Sequence, residues 1–355
     1  TKILEFARQY CPPNKASKAV GRIKRCVQSG PEIPFESALA ARAGRSMVEQ
    51  REWLGRLMAP FTQVAASHPD LAWFPVARTP EELSTVTAEN RYICEPYPKL
   101  LNSIIAVEQS ASIIVCAAEV AEVAGVPRDR WVFPWSAASA HDVFFPAERP
   151  NLHRSEGIAA AGRLALEAAQ IGIDDVAMFD LYSCFPSAVE IGCAELGIAE
   201  DDPRGLTVTG GLPYFGGAGN NYVMHSIAVM VDRCREDPKG IGLLTGLGWY
   251  TTKHSIGIYS SALPRQRFAR ADAAAEQARI DAMAVAVAGN DDLDGEAVAT
   301  VEAMTVVHDR DAGPVSAPAF LNLDDGRRVV AALADSTQAT ALSEAGLVGQ
   351  KVKVR

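Results

Sequence analysis

Apolar and polar residues alternate along this chain with two different periods, and the change of period predicts its elements. Pro34 to about Ala43 reads as a helix. A second helix runs from Ser46, as its cap, to about Ala66, with Met47, Leu54, Leu57, Met58 and Phe61 recurring at helical spacing. Pro69 to Pro98 holds five prolines and reads mostly as loop. Ser112 to Ala124 combines an apolar run, expected to be buried, with a helix-like ending that stops at Gly125. Arg130 to Trp135 reads as a short strand, Gly157 to Ala169 as an alanine-rich helix, and Met178 to Leu181 as a strand. Asn221 to Arg233 is predicted helical, with Met224, Ile227, Ala228 and Val231 on its apolar face. Ile241 to Thr245 and Ser255 to Ser260 read as buried strands joined by a glycine-rich turn. Strands alternating with helices in this way indicate an α/β layer. After Pro264 comes a helix or linker from Arg265 to Ala284. Ala297 to Val307, Ala317 to Leu323 and Arg327 to Leu333 then read as strands around turns such as Asp324-Asp325-Gly326.

Length changes this picture by asking for two or three domains, since 355 residues exceed one ordinary core. A net charge of −9 argues against nucleic acid or an anionic membrane surface as the main partner. The charge is unevenly spread. Residues 1 to 30 carry seven basic side chains and one acidic one, Glu5. Seven cysteines without a C-x-x-C pair fit a reducing cytoplasm better than a disulfide framework or a cysteine zinc site. No run of about 18 uncharged apolar residues predicts a membrane span, and the N-terminus lacks signal-peptide features.

Phosphate-binding and dinucleotide glycine motifs, H-E-x-x-H and G-x-S-x-G are all missing from the sequence, and no metal site is expected. Three other segments place polar groups where buried elements end, which is where α/β folds build sites. They are Phe179–Ala188 around Tyr182-Ser183-Cys184, Thr209–Asn221 with its glycine pairs, and Leu244–Tyr250. Glycines let a ligand approach backbone N–H groups, and such donors can stabilise a thioester oxyanion.

In order and spacing these segments resemble the C-terminal half of the thiolase superfamily. They are most similar to sterol-carrier-protein-type thiolases and the thiolase-like acyl-CoA proteins of actinobacteria. The resemblance covers roughly residues 32 to 263. It implies a layered α/β/α fold with a helical loop domain and a small C-terminal β-barrel-like domain. The implied division is a basic segment at 1–31, a cap at 32–101, a thiolase-like half at 102–263, and a linker with a small β-rich domain at 264–355.

The boxes depart from the family. The His-Asp-Cys-Phe box reads Tyr182-Ser183-Cys184-Phe185. The Gly-His-Pro motif that holds the family's base falls on Gly216-Gly217-Ala218, and the Cys-x-Gly motif on Thr245-Gly246-Leu247-Gly248. The family's nucleophilic cysteine belongs to an N-terminal half, in whose place residues 1 to 30 stand. Candidate catalytic groups are therefore Tyr182, Ser183, Cys184, Tyr250 and His254. Gly210, Gly211, Gly216, Gly217, Asn220, Gly246 and Gly248 are candidates for an oxyanion or ligand loop, and Lys99 for a coenzyme A phosphate. Plain alternatives stand beside these roles. Cys184 reads first as a buried core thiol, His254 as a solvated loop residue as readily as a catalytic one, and His225 as a surface or subunit contact.

The resemblance implies a protein that handles a coenzyme A thioester as substrate or ligand, without a covalently bound cofactor. The reaction class is acyl transfer or carbon–carbon bond formation or cleavage in lipid metabolism. The alternative is a non-catalytic acyl-CoA- or lipid-binding subunit. A homodimer or paired chain is expected, since thiolase halves share a large face.

Overall fold

A computed structural model describes residues 33–289, 292–293, 297–332, 342 and 346–354. The basic segment 1–31 and the predicted strand end at Leu333 lie outside them.

Two helices open the described chain, α1 (Ile33–Arg42) and α2 (Met47–Ala66). Ser46 caps α2 as expected. Its hydroxyl accepts from Glu49 N, and the Glu49 carboxylate accepts from Ser46 N, so two otherwise unpaired N–H groups are satisfied. The proline-rich stretch that follows holds more structure than the sequence suggested. It carries a short helix α3 (Pro80–Ser84), capped by Thr79, and strands β1 (Tyr92–Cys94) and β2 (Tyr97–Pro98).

A five-stranded mixed sheet forms the centre. Its strands are β3 (Phe133–His141), β4 (Met178–Asp180), β5 (Ile241–Gly248), β6 (Lys253–Ser260) and β7 (Ala269–Arg270), in the order β4-β5-β6-β3-β7. β4 runs parallel to β5 and β7 parallel to β3, while β6 runs antiparallel to both β5 and β3. Helix α5 (Glu156–Ala169) packs on β3 and β6, and α7 (Tyr222–Glu236) on β5 and β6. Between them in sequence lies α6 (Pro186–Leu196), and the short α4 (Ala118–Val123) precedes both. Phe179, Leu243, Ile256 and Ile258 fill the core. Gly162 lets α5 and α6 approach, because a Cβ there would stand 2.3 Å from Leu196 Cδ2.

Helix α8 (Ala274–Asp281) leads to the C-terminal strands. β8 (Ala297–Met304), β11 (Pro318–Leu323), β12 (Arg328–Ala332) and β13 (Lys351–Val354) form a sheet in the order β12-β11-β8-β13. It has a core of its own that includes Val301, Leu321 and Val329. The remaining strands, β9 (Val307–Asp309) and β10 (Gly313–Ser316), join β1 and β2 in a third sheet ordered β10-β9-β1-β2.

Two expectations fail, each for a physical reason. The run from Ser112 is not buried: Ile114 is 95% exposed and Val115 78%, because no strand of the described residues pairs with it. Only Ala118–Val123 of it is helical. The buried face of α7 is Tyr222, His225, Ser226, Val229, Met230 and Cys234 rather than Met224, Ile227, Ala228 and Val231. That is a shift of two positions, or about 200° around the helix. Polar members of this face bond to a buried carboxylate, so hydrophobicity alone does not mark it.

Candidate functional site

The site grows from the last residue of β4. Asp180 is fully buried and accepts five hydrogen bonds. Val208 N (3.2 Å), Thr209 N (3.1 Å) and Thr207 Oγ1 (3.2 Å) donate to Oδ2, and Tyr222 OH (3.0 Å) and Ser226 Oγ (3.1 Å) to Oδ1. Burial pushes its pKa up, against the pull of these neutral donors. One carboxylate thereby ties the glycine-rich loop and the start of α7 to the end of β4.

The loop then folds onto the box at 182–184. Gly210 (φ +108°) lies so close to α2 that a Cβ would stand 2.6 Å from Ala65 N. At Gly211 (φ +77°) the corresponding position is 2.4 Å from Ser183 Oγ, so Ser183 is seated directly on the glycine. Ser183 Oγ accepts from Leu212 N at 3.2 Å, and Ser183 is fully buried. Tyr182 is half-buried. Its N–H donates to Thr245 Oγ1 at 2.7 Å, and its ring stands edge-on to Tyr222 at 5.5 Å. The three segments singled out in the sequence therefore meet at the ends of β4 and β5.

Within that meeting point the individual groups have defined states. Cys184 is buried. The N–H groups of Gly210, Gly211 and Gly217 already donate, to Thr207 Oγ1 (2.9 Å), Thr209 Oγ1 (3.1 Å) and Ile104 O (3.1 Å). Gly246 lies in β5, where a Cβ would stand 2.6 Å from Ser255 Oγ, and Gly248 ends that strand. Asn220 is exposed. Lys99 is exposed at the start of a one-turn helix at Lys99–Leu101.

Tyr250 sits in the turn between β5 and β6, half-buried, and burial raises its pKa. The same turn holds two non-glycine residues with positive φ, Trp249 (64°) and Thr251 (47°). Such strain persists only where the surroundings impose it. Here Arg149 Nη2 donates to Tyr250 O (2.7 Å) and Thr252 Oγ1 (2.9 Å).

His254 is not a solvated loop residue. It is an inward-facing position of β6, directed at the start of α5, where a Cβ on Gly157 would touch it at 2.8 Å. Its strand neighbour Ser255 faces Gly246, and adjacent strand residues point to opposite faces. His254 is thus on the other side of the sheet from α7. Its Nε2 lies 3.0 Å from Asp142 Oδ2 and 3.2 Å from Ser155 Oγ, while Ser155 Oγ donates to Asp142 Oδ2 at 2.6 Å. The residue types match a nucleophilic triad, but the geometry does not. The hydroxyl proton points to the carboxylate, and the same ring nitrogen faces both partners, whereas a triad needs the imidazole between them.

His225, read from sequence as a surface residue, is buried beside the glycine-rich loop. Its ring lies 5.9 Å from that of Phe215, and its Nε2 3.3 Å from Asn221 Nδ2. Burial lowers its pKa, which favours the neutral imidazole. A signal was present in the sequence. His225 follows Asn221 by four positions and Tyr222 by three, the spacing that puts residues on one helix face.

Among the described residues no group of three or more His, Cys, Asp or Glu is placed to hold a metal ion, and no helix is long and apolar enough to cross a membrane.

Residues 277–355 match the family model of the thiolase-like protein type 1 additional C-terminal domain. A crystal structure of a monomeric SCP2-thiolase-like protein type 1 from Mycobacterium smegmatis is 37% identical, with a TM-score of 0.79. The match covers 90% of this chain and 69% of that one. The dimeric peroxisomal thiolase of Saccharomyces cerevisiae is 16% identical over 64% of this chain and 58% of its own, with a TM-score of 0.45. No curated protein sequence matches the chain.

Proposed function

The chain belongs to the SCP2-thiolase-like protein type 1 family, and from that premise we propose that it handles a coenzyme A thioester at the ends of β4 and β5. The observation that carries this reading is the convergence of the three boxes, through Tyr182 N on Thr245 Oγ1 and Leu212 N on Ser183 Oγ. Acyl transfer or carbon–carbon bond formation or cleavage is the reaction class. His225 takes the part of the base that Gly217 lacks, since a neutral buried imidazole is the form that accepts a proton near pH 7. Tyr182, whose ring stands edge-on to Tyr222 at the start of the His225 helix, serves as the hydrogen-bond donor. The five described cysteines form no disulfide, which fits a reducing compartment such as the cytoplasm.

The test is turnover of acetyl-CoA and longer acyl-CoA in thiolysis and retro-aldol assays, comparing His225→Gln with the wild type. General-base loss lowers the rate by about 10²–10⁴-fold. An unchanged rate removes His225 from the reaction.

A second reading is supported by Ser183 and Cys184, both buried, and by the glycine N–H groups already in use. On this reading the chain binds acyl-CoA without turning it over and works with a second chain. Saturable binding with no turnover of any thioester by the wild type selects it.

A further inference from the structure

The segment 103–109 crosses the glycine-rich loop as a strap. Ser103 N donates to Cys184 O at 3.2 Å, and Gly217 N donates to Ile104 O at 3.1 Å. At its far end the Gln109 carboxamide is inserted into the loop. Its Nε2 donates to two backbone carbonyls, Phe215 O at 2.8 Å and Leu71 O at 3.0 Å. Its Oε1 is buried with no hydrogen-bond partner among the described residues. Gly216 (φ +127°) forms the floor, and a Cβ there would stand 2.1 Å from Oε1.

The socket thus has a definite chemistry. Two converging carbonyls accept N–H donors, and a bare glycine leaves room for a planar amide. A carboxylate or phosphate would meet two carbonyl oxygens and be repelled. Gln109 fills the socket incompletely, because one of its polar atoms remains unpaired at a burial cost. The strap is lightly held on both sides of Gln109: Ile105 is 75% exposed, and residues 112–117 belong to no helix or strand.

We propose that the Leu71–Phe215–Gly216 socket is a carboxamide-binding subsite, that Gln109 occupies it as an internal stand-in, and that an amide of the pantetheine arm displaces it. The inference rests on the coenzyme A reading above. Displacement also frees the Gly217 N–H from Ile104 O and returns a donor to the side of the loop that faces the box.

The experiment is calorimetric titration of coenzyme A, and of pantetheine, which keeps both amides and lacks the nucleotide. The proteins are the wild type, Gln109→Ala and Gln109→Glu. Alanine vacates the socket, and glutamate presents only oxygens to the two carbonyls. Both variants bind both probes about tenfold tighter, as expected when a competent state populated at about a tenth becomes the main one. Equal or weaker binding of coenzyme A by both variants overturns the subsite and leaves the thioester reading intact. A gain for coenzyme A that is missing for pantetheine also overturns it. No binding of coenzyme A by any of the three removes the thioester reading and the subsite together. Hydrogen exchange of the wild type gives a check that needs no variant. Saturating coenzyme A speeds exchange at 103–109 if the strap is displaced, and unchanged or slower exchange there contradicts displacement.

Discussion

Two buried aspartates flank the central sheet, and their environments push them in opposite directions. Asp142 and Asp180 are 4% and 0% exposed, so both lose hydration. Around Asp142 the burial penalty is outweighed by His254, Arg149 and Ser155, and its pKa falls below the usual carboxylate value. Around Asp180 the donors are all neutral, burial wins, and its pKa rises. Burial is equal, so the charge of the partners decides the sign. The first region is an ionic brace joining β3, α5 and β6. The second is a neutral pin that holds the candidate site, with a glycine-rich loop resting on a box of hydroxyls.

Breaking the brace has the largest expected effect. Asp142→Asn leaves Arg149 and His254 without their carboxylate and costs about 3–5 kcal/mol at pH 7, read by urea denaturation. Next is Gly210→Ala, which forces a side chain into a positive-φ position against the α2 backbone and costs about 2–3 kcal/mol. Asp180→Asn keeps the shape, misorients one donor, and costs about 1–2 kcal/mol.

The two aspartates separate most sharply with pH. Asp142 has a depressed folded pKa. Its stabilisation is present above the unfolded carboxylate value near pH ~4 and is lost as pH falls through the folded value. The deficit of Asp142→Asn therefore shrinks in acid. Asp180 has a raised folded pKa, so the unfolded chain ionises first and stability falls as pH climbs from ~4 through the raised value. The deficit of Asp180→Asn is therefore largest in acid. Parallel pH trends in the two variants would contradict the contrast. The smallest effect is Ile114→Ser, expected within about 0.5 kcal/mol because the side chain is exposed.

Much of the architecture was legible. The Ser46 cap, the helix at 156–169 and the hairpin of β5 and β6 follow from capping chemistry and periodicity. The three boxes were also legible as a group, because each sits where an element ends. The side-chain partners were not. His225 was missed because the buried face of α7 is partly polar: Tyr222 and Ser226 point inward to bond Asp180, which periodicity in hydrophobicity cannot register. His254 was ambiguous because β6 begins two residues earlier than its apolar run suggests, and the inward alternation that starts at Lys253 decides its face. The run at Ile114 misled in the opposite sense. Its residues suit a buried strand, yet burial needs a partner strand, which residue pattern does not supply.

The most direct test of the central claim compares the two regions in one experiment. Hydrogen exchange of the wild type is followed residue by residue with and without saturating acetyl-CoA. Slowed exchange is expected at 182–184 and 210–216, around the neutral pin, and none at 142–157 or 252–255, around the ionic brace. Protection confined to the brace, or none in either region, would contradict it.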